Sequence, residues 1–186
     1  MADANVRPAT LADVDEIARI QVSTWQSAYG DMLPPDVLAG LDPATAAHAW
    51  AHTVEQGPAS VFVAAEGPWI VGFCSAGVSP ESESAAANAK PVEDAATVAL
   101  VGTILVEPRW GRRGHGGRLL AAASEALRLG GSTRGISWVP QENKASLGFF
   151  QRAGWTPDGV VRTLDAGGRP FREIRLTGSL DVPMAD

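Results

Sequence analysis

Ile104-Leu105-Val106-Glu107-Pro108-Arg109-Trp110-Gly111-Arg112-Arg113-Gly114-His115-Gly116-Gly117-Arg118-Leu119-Leu120 is the stretch on which the fold turns. An apolar strand runs into a turn holding four glycines, and the turn runs into a helix rich in alanine and leucine. Glycine lets a backbone adopt positive φ and approach a ligand with no Cβ in the way. Free N–H groups at a helix N-terminus, with the macrodipole behind them, form an anion site suited to a pyrophosphate. Arg109, Arg112, Arg113 and Arg118 gather four of the chain's 15 Lys+Arg around that turn. A Walker-type loop would end in Gly-Lys-Ser/Thr, and a dinucleotide fingerprint would read Gly-x-Gly-x-x-Gly at the start of repeated βαβ units. Neither spacing is present. A turn tightened by glycines, with arginines on a solvated face, ranks behind anion binding because a buried strand precedes it and a helix follows.

Outward from this centre the pattern is mixed. Upstream lie a short strand at 6–9 and a helix opened by Thr10 and Asp13, with apolar residues at helical spacing as far as Tyr29. Helices are expected at 36–41 and 44–54, the second behind Asp42-Pro43. Strands at 60–65 and 69–76 are joined by Glu66-Gly67-Pro68. Residues 79–96, rich in Ser, Glu, Ala and Pro, read as a mobile insertion with little to bury. The run 98–106 suits a strand buried on both faces. Downstream, a helix (116–129), a strand (135–139), a helix (144–153) and two strands (159–164 and 171–176) close the chain. The order is that of one α+β domain spanning 1–186.

Composition narrows the function. Hydrophobic residues make up 45% and charged residues 19%, enough for a sizeable core. A formal net charge of −6 argues against a nucleic-acid partner, which requires clustered basic residues, and fits a cationic or amine acceptor better. The single cysteine, Cys74, excludes a disulfide framework and reads as a buried structural thiol. His48 and His52 stand four apart on a helix without an apparent third ligand, so no metal is expected. No stretch of about 18 apolar residues exists to span a membrane. The expectation is a cytoplasmic protein with no membrane partner, compatible with a homodimer.

Two blocks give the chain a relative. Val106, Pro108, Gly114 and Gly116 follow the pattern Val-x-Pro-x-x-Gln/Arg-x-x-Gly-x-Gly/Ala, and Asn143, Ser146, Phe149, Phe150, Gly154 and Trp155 follow Asn-x-x-Ala/Ser-x-x-Phe-Tyr-x-x-x-Gly-Phe/Trp. In these blocks and their mutual spacing the sequence resembles the GNAT superfamily of N-acetyltransferases. The resemblance covers nearly the whole chain outside 79–96. It implies a mixed central sheet flanked by helices, with a splayed central strand pair. It also implies acetyl-CoA as acyl donor and an amine of a small molecule, peptide or protein as acceptor. Backbone groups of Ile104, Leu105 and Val106 would then meet the pantetheine arm and acetyl carbonyl. Gly111, Arg112, Arg113, Gly114, His115, Gly116 and Gly117 would hold the pyrophosphate, with His115 exposed beside it. Asn143 would bond the pantetheine arm or cap the next helix, and Phe149 and Phe150 would face the cofactor. The acceptor would be walled by the first helices and the last hairpin, with Trp25, Tyr29, Trp138 and residues 165–169.

Three positions depart from that pattern. Gly111 stands where the first block has Gln or Arg. Phe150 stands where many relatives place the tyrosine that protonates the CoA thiolate, and Leu100 where many place an acid acting as general base. Glu107 follows the strand end, where an ion pair or a solvated position suits it equally. The catalytic groups are therefore unassigned, and a catalytically weak acyl-CoA-binding module is the second reading. A nucleotide-binding switch is third.

Overall fold

The computed structural model describes residues 4–182. Seven strands form one sheet in the order β1-β2-β3-β4-β5-β7-β6. They are β1 (Ala4–Pro8), β2 (Ala59–Glu66), β3 (Trp69–Val78), β4 (Val98–Val106), β5 (Arg134–Pro140), β6 (Thr156–Ala166) and β7 (Arg169–Ser179). The helices are α1 (Val14–Ala28), α2 (Pro35–Ala39), α3 (Pro43–Gln56), the single turn α4 (Glu81–Ser84), α5 (His115–Leu129) and α6 (Lys144–Arg152). This is the expected mixed sheet with helical cover.

Helix starts follow the local chemistry. Asp42 accepts the Thr45 backbone N–H at 2.8 Å, with Pro43 in the first turn of α3. Before α1, Asp13 accepts from the Thr10 backbone and from both terminal nitrogens of Arg7, at 2.8 Å each. The Arg7 guanidinium holds the buried Asp13 carboxyl down to about 2, although burial opposes this. That pair ties β1 to the head of α1.

Two cores sit on opposite faces of the sheet. One gathers Val71, Ala99, Val101, Leu119, Leu120, Phe150, Trp155 and Leu176 beneath α5 and α6. The other joins Ile17, Ile20, Val61, Val63 and Phe73 beneath α1 and α3. Cys74 is fully buried in the first, and burial pushes its thiol up to about 12. No described helix is long and apolar enough to cross a membrane.

The two halves of the sheet meet along β4 and β5, which run parallel and pair only over Val98–Leu100 and Arg134–Ile136. Beyond that the strands part, and the β5-facing edge of β4 has no strand partner. A bulge sits at the same point. Ala76 opposes Val101 and Ser75 opposes Thr103, so Gly102 is the extra residue. It shifts the alternation by one. Ala99 and Val101 before it, and Ile104 and Val106 after it, therefore pack on the α5 side. Leu105 packs on the α1 side.

The segment 79–96 is tied to the body. Arg175, 4% exposed, donates to the carbonyls of Glu83 (2.8 Å) and Ala85 (2.7 Å) and pairs with Asp158. Arg162 reaches the Glu83 carboxylate at 2.7 Å, Arg134 pairs with Asp94, and Ser84 is fully buried. The low apolar content of the segment hid these anchors, which are backbone carbonyls and carboxylates met by cations from distant strands.

Candidate active site

The turn after β4 opens a cleft of about 700 Å³ between the free edge of β4, the N-terminus of α5 and one face of α6. Ile104, Val106, Gly111, Arg112, Gly114, His115, Gly116, Gly117, Phe149 and Phe150 line it, ten of the residues expected from sequence. The backbone of the turn requires its glycines. Gly114, which caps α5, has φ +82°, and a Cβ on Gly116 would meet Phe149 Cε2 at 3.2 Å. Arg112 holds φ +63° without being glycine. A left-handed arginine costs roughly 1–2 kcal/mol, and such strain is concentrated at working sites.

Two expectations about individual residues need correction, those for His115 and Arg113, and two others gain their detail from the structure, those for Leu105 and Asn143. His115 is buried, at 2% exposure, rather than exposed beside a phosphate. It begins α5 just behind the left-handed Gly114, which turns its ring onto the sheet, where Nε2 lies 2.8 Å from Glu66 Oε2. Arg113 does not line the cleft. It pairs with the other oxygen of Glu66 at 2.9 Å and lies over the Trp110 ring at 4.9 Å. Glu66, at the end of β2, thus staples the turn to the sheet from both sides. Leu105 faces away from the cleft because of the bulge at Gly102. Asn143 caps α6, accepting the Ser146 N–H at 3.0 Å, and does not reach the cleft lining.

The four arginines of the turn therefore divide. Arg109 pairs with Glu107 and Arg113 with Glu66. Arg112 and Arg118 make no ion pair among the described residues. Sequence reasoning missed Arg152, on the last turn of α6, which lines the cleft with no carboxylate partner, and Trp110, whose Nε1 is buried there without a hydrogen bond. The spacing of Arg152 from the matched Phe149 was the available signal for the first. The cleft thus offers an unpartnered donor, free arginines, glycine backbone and an apolar floor. That inventory fits a pyrophosphate joined to a pantetheine arm.

A second cavity, of about 240 Å³, opens at the bulge. Leu100, Gly102, Trp138, Arg162, Glu173, Pro80 and Glu83 line it. Leu100 is apolar. Glu107 is held below the usual carboxylate range by Arg19, which bonds it at 3.0 Å from α1, and it lines neither this cavity nor the cleft. Arg162 lies 4.3 Å over the Trp138 ring and binds both Glu173 (2.6 Å) and Glu83 (2.7 Å). Trp25, Tyr29 and Phe171 form an edge-to-face series beside it, at 5.8 and 6.3 Å. Tyr29 lies beside Asn143 and Glu173, and burial raises its phenol. His48 and His52 both lie on α3, and among the described residues no three metal-ligating side chains cluster.

Comparison with known proteins agrees with this arrangement. Residues 16–155 match the model of the acetyltransferase (GNAT) family. An uncharacterized N-acetyltransferase, YuaI of Bacillus subtilis, is 29% identical over 174 residues, 92% of this chain and 90% of that one. Among solved structures, a ribosomal-protein-alanine N-acetyltransferase from Brucella melitensis superposes with TM-score 0.71 at 20% identity, covering 94% and 99% of the two chains. The PaiA N-acetyltransferase of Thermoplasma acidophilum, in complex with coenzyme A, gives 0.66 at 12% identity, covering 95% and 99%. At such identities the structural likeness is one of fold.

Proposed function

Because this chain belongs to the acetyltransferase (GNAT) family, and is thereby an acetyl-CoA-dependent acyltransferase, we propose that it carries the acetyl group to a free amine by direct attack in a ternary complex. The acceptor is an amine of a small molecule, a peptide or a protein. The observation that carries this reading is the unpartnered edge of β4, flanked by the large cleft on one side and the cavity at Gly102 on the other.

In this reading the backbone of Gly111, Gly114, Gly116 and Gly117, with Arg112, holds the pyrophosphate. Ile104 and Val106 receive the pantetheine arm, with the Leu105 main chain between them. Phe149 and Phe150 form the apolar wall. Arg113 and His115 act through Glu66 by keeping the turn against β2, and Asn143 by fixing the start of α6. Acetyl-CoA supplies a thioester whose thiol leaves readily, so the protein has chiefly to position the amine and remove its proton. Of the two carboxylates that line the cavity at the bulge, Glu83 and Glu173, the one on the central sheet, Glu173, is the residue we assign to take that proton. Arg162 fixes its orientation.

Initial rates of CoA release over a panel of amines test the reading, with calorimetry of CoA binding alongside. We expect turnover in the wild type, and for Glu173→Gln a fall in kcat of about 10²-fold, within the usual range for a general base, at unchanged CoA affinity. Full activity in Glu173→Gln would remove the base from this residue. Tight CoA binding with no turnover of any amine would favour the acyl-CoA-binding module.

A further inference from the structure

We propose that the acceptor carries an anionic group beside its amine, held by Lys144, Arg169 and Arg172 in a third cavity at the open end of the splay. This rests on the acetyl-transfer reading above and names its substrate class.

Free positive charge is unevenly distributed over the molecule. In a chain of net charge −6, most cations are neutralised by a neighbouring carboxylate. Apart from Lys90, the cations that make no ion pair among the described residues fall into two groups. Arg112, Arg118 and Arg152 belong to the donor cleft: Arg112 and Arg152 line it, and Arg118 lies beside Gly114. The phosphates of the donor account for them. Lys144, Arg169 and Arg172 line a separate cavity of about 500 Å³, and the donor accounts for none of these. The only carboxylate in that lining is Glu142, so the cavity keeps a net positive charge. Three cations that line one cavity without an ion pair repel, and an anion bound among them lowers that repulsion while gaining charge-assisted hydrogen bonds.

The position of the cavity joins it to the reaction. Its cations come from the head of α6 and from the β6–β7 hairpin, and Met32 closes it from the segment between α1 and α2. Phe171 and Arg172 line it, and the next residue along β7, Glu173, lines the cavity at the bulge. Arg169, Phe171 and Glu173 alternate onto one face of β7, where Tyr29 packs edge-to-face on Phe171. An acceptor anchored by its anion at Arg169 therefore extends along that face toward Glu173. A volume of about 500 Å³ is that of a small-molecule site. The class is a small amine bearing a carboxylate or a phosphonate.

Matched acceptors test this. Rates with acetyl-CoA are compared for L-amino acids, their carboxamides, and the 1-aminoalkylphosphonates of the same side chain. We expect kcat/KM to be at least about tenfold higher for the anionic acceptors than for the amides, the scale of one charge-assisted hydrogen bond. Whichever anion ranks higher identifies the group. In the Arg169→Ala/Arg172→Ala variant, both positions being exposed on the hairpin, the acid-to-amide ratio falls to about one while CoA affinity holds. Separately, succinate and inorganic phosphate are titrated calorimetrically into the CoA-bound protein. Binding in the wild type that is lost in the double variant supports the anion site even if no amine is turned over, a result that would count against acetyl transfer alone. Amides used as well as the acids, or a double variant that keeps the preference, overturns the proposal and leaves acetyl transfer standing.

Discussion

The large cleft on the α5 side of β4 and the two smaller cavities, at the bulge and at the last hairpin, are built by opposite strategies. One is almost a single uninterrupted stretch of chain. The strand, turn and helix from Ile104 to Leu120 supply most of its lining, and α6 closes it. The other side is composite. Glu83 comes from the insertion, Trp138 from β5, Arg162 and Glu173 from the last hairpin, and Tyr29 from the end of α1. A contiguous site keeps its geometry as long as one turn keeps its backbone. A composite site depends on the docking of several elements, so it varies more readily from protein to protein. That difference suits the proposed roles, a common donor in the first and a variable acceptor in the second.

The largest effect that would sharpen this comparison lies beneath the donor cleft. Phe150 is 2% exposed, packed against Phe149 at 5.1 Å and Trp155 at 5.2 Å. Phe150→Ala should destabilise the fold by about 3–5 kcal/mol, as for a buried ring, measured by denaturant unfolding. Phe150→Tyr should fold and change kcat little. A Phe150→Ala protein of full stability would show that the floor of the cleft is loose rather than core.

A smaller effect separates the two sides. Asp13 anchors the head of α1, which packs on the face of the sheet opposite α5 and α6, the side proposed for the acceptor. Its carboxyl lies at about 2 instead of 3.8, and at ~1.4 kcal/mol per pK unit that shift is worth about 2 kcal/mol. The folded-state value is depressed, so this stability is present above pH 4 and is lost as pH falls from about 4 through 2. Asp13→Asn should lower stability at pH 7 by about that amount, flatten the acid limb in that window, and raise the acceptor KM while leaving CoA affinity unchanged. Unfolding curves from pH 2 to 7 and calorimetry check both halves. Weakened CoA binding in Asp13→Asn would break the comparison, since it would couple the two sides.

Legibility in the sequence followed the same division. The succession of strands and helices along the chain and the glycine turn were readable because each depends on residues close together in the chain. His115 was misread because its burial depends on Glu66, 49 positions away. The side to which Leu105 points was not legible, because a single bulge at Gly102 shifts the alternation and an apolar run shows no break there. Asn143 carried two compatible readings, and the structure shows the cap, with the Ser146 N–H as its donor. The anchoring of 79–96 was invisible for a related reason. Arg175 grips backbone carbonyls of Glu83 and Ala85, and composition does not record carbonyls. Glu173 and Arg162 lay in strands recognised from their turn, and nothing local marked them as site residues.

The turn from Gly111 to Gly117 is the segment we assign to the donor's pyrophosphate, and replacing Arg112 probes that assignment. Its backbone already adopts φ +63°, a conformation glycine takes without strain. Arg112→Gly therefore keeps the shape of the turn and removes only the side chain. Calorimetric titration of CoA into wild type and Arg112→Gly, with thermal unfolding of each, is the measurement. The predicted result is an unchanged or slightly raised Tm, with affinity for CoA lowered at least about tenfold, the loss expected for one charge-assisted contact to phosphate. Equal affinity in the two proteins would contradict the claim.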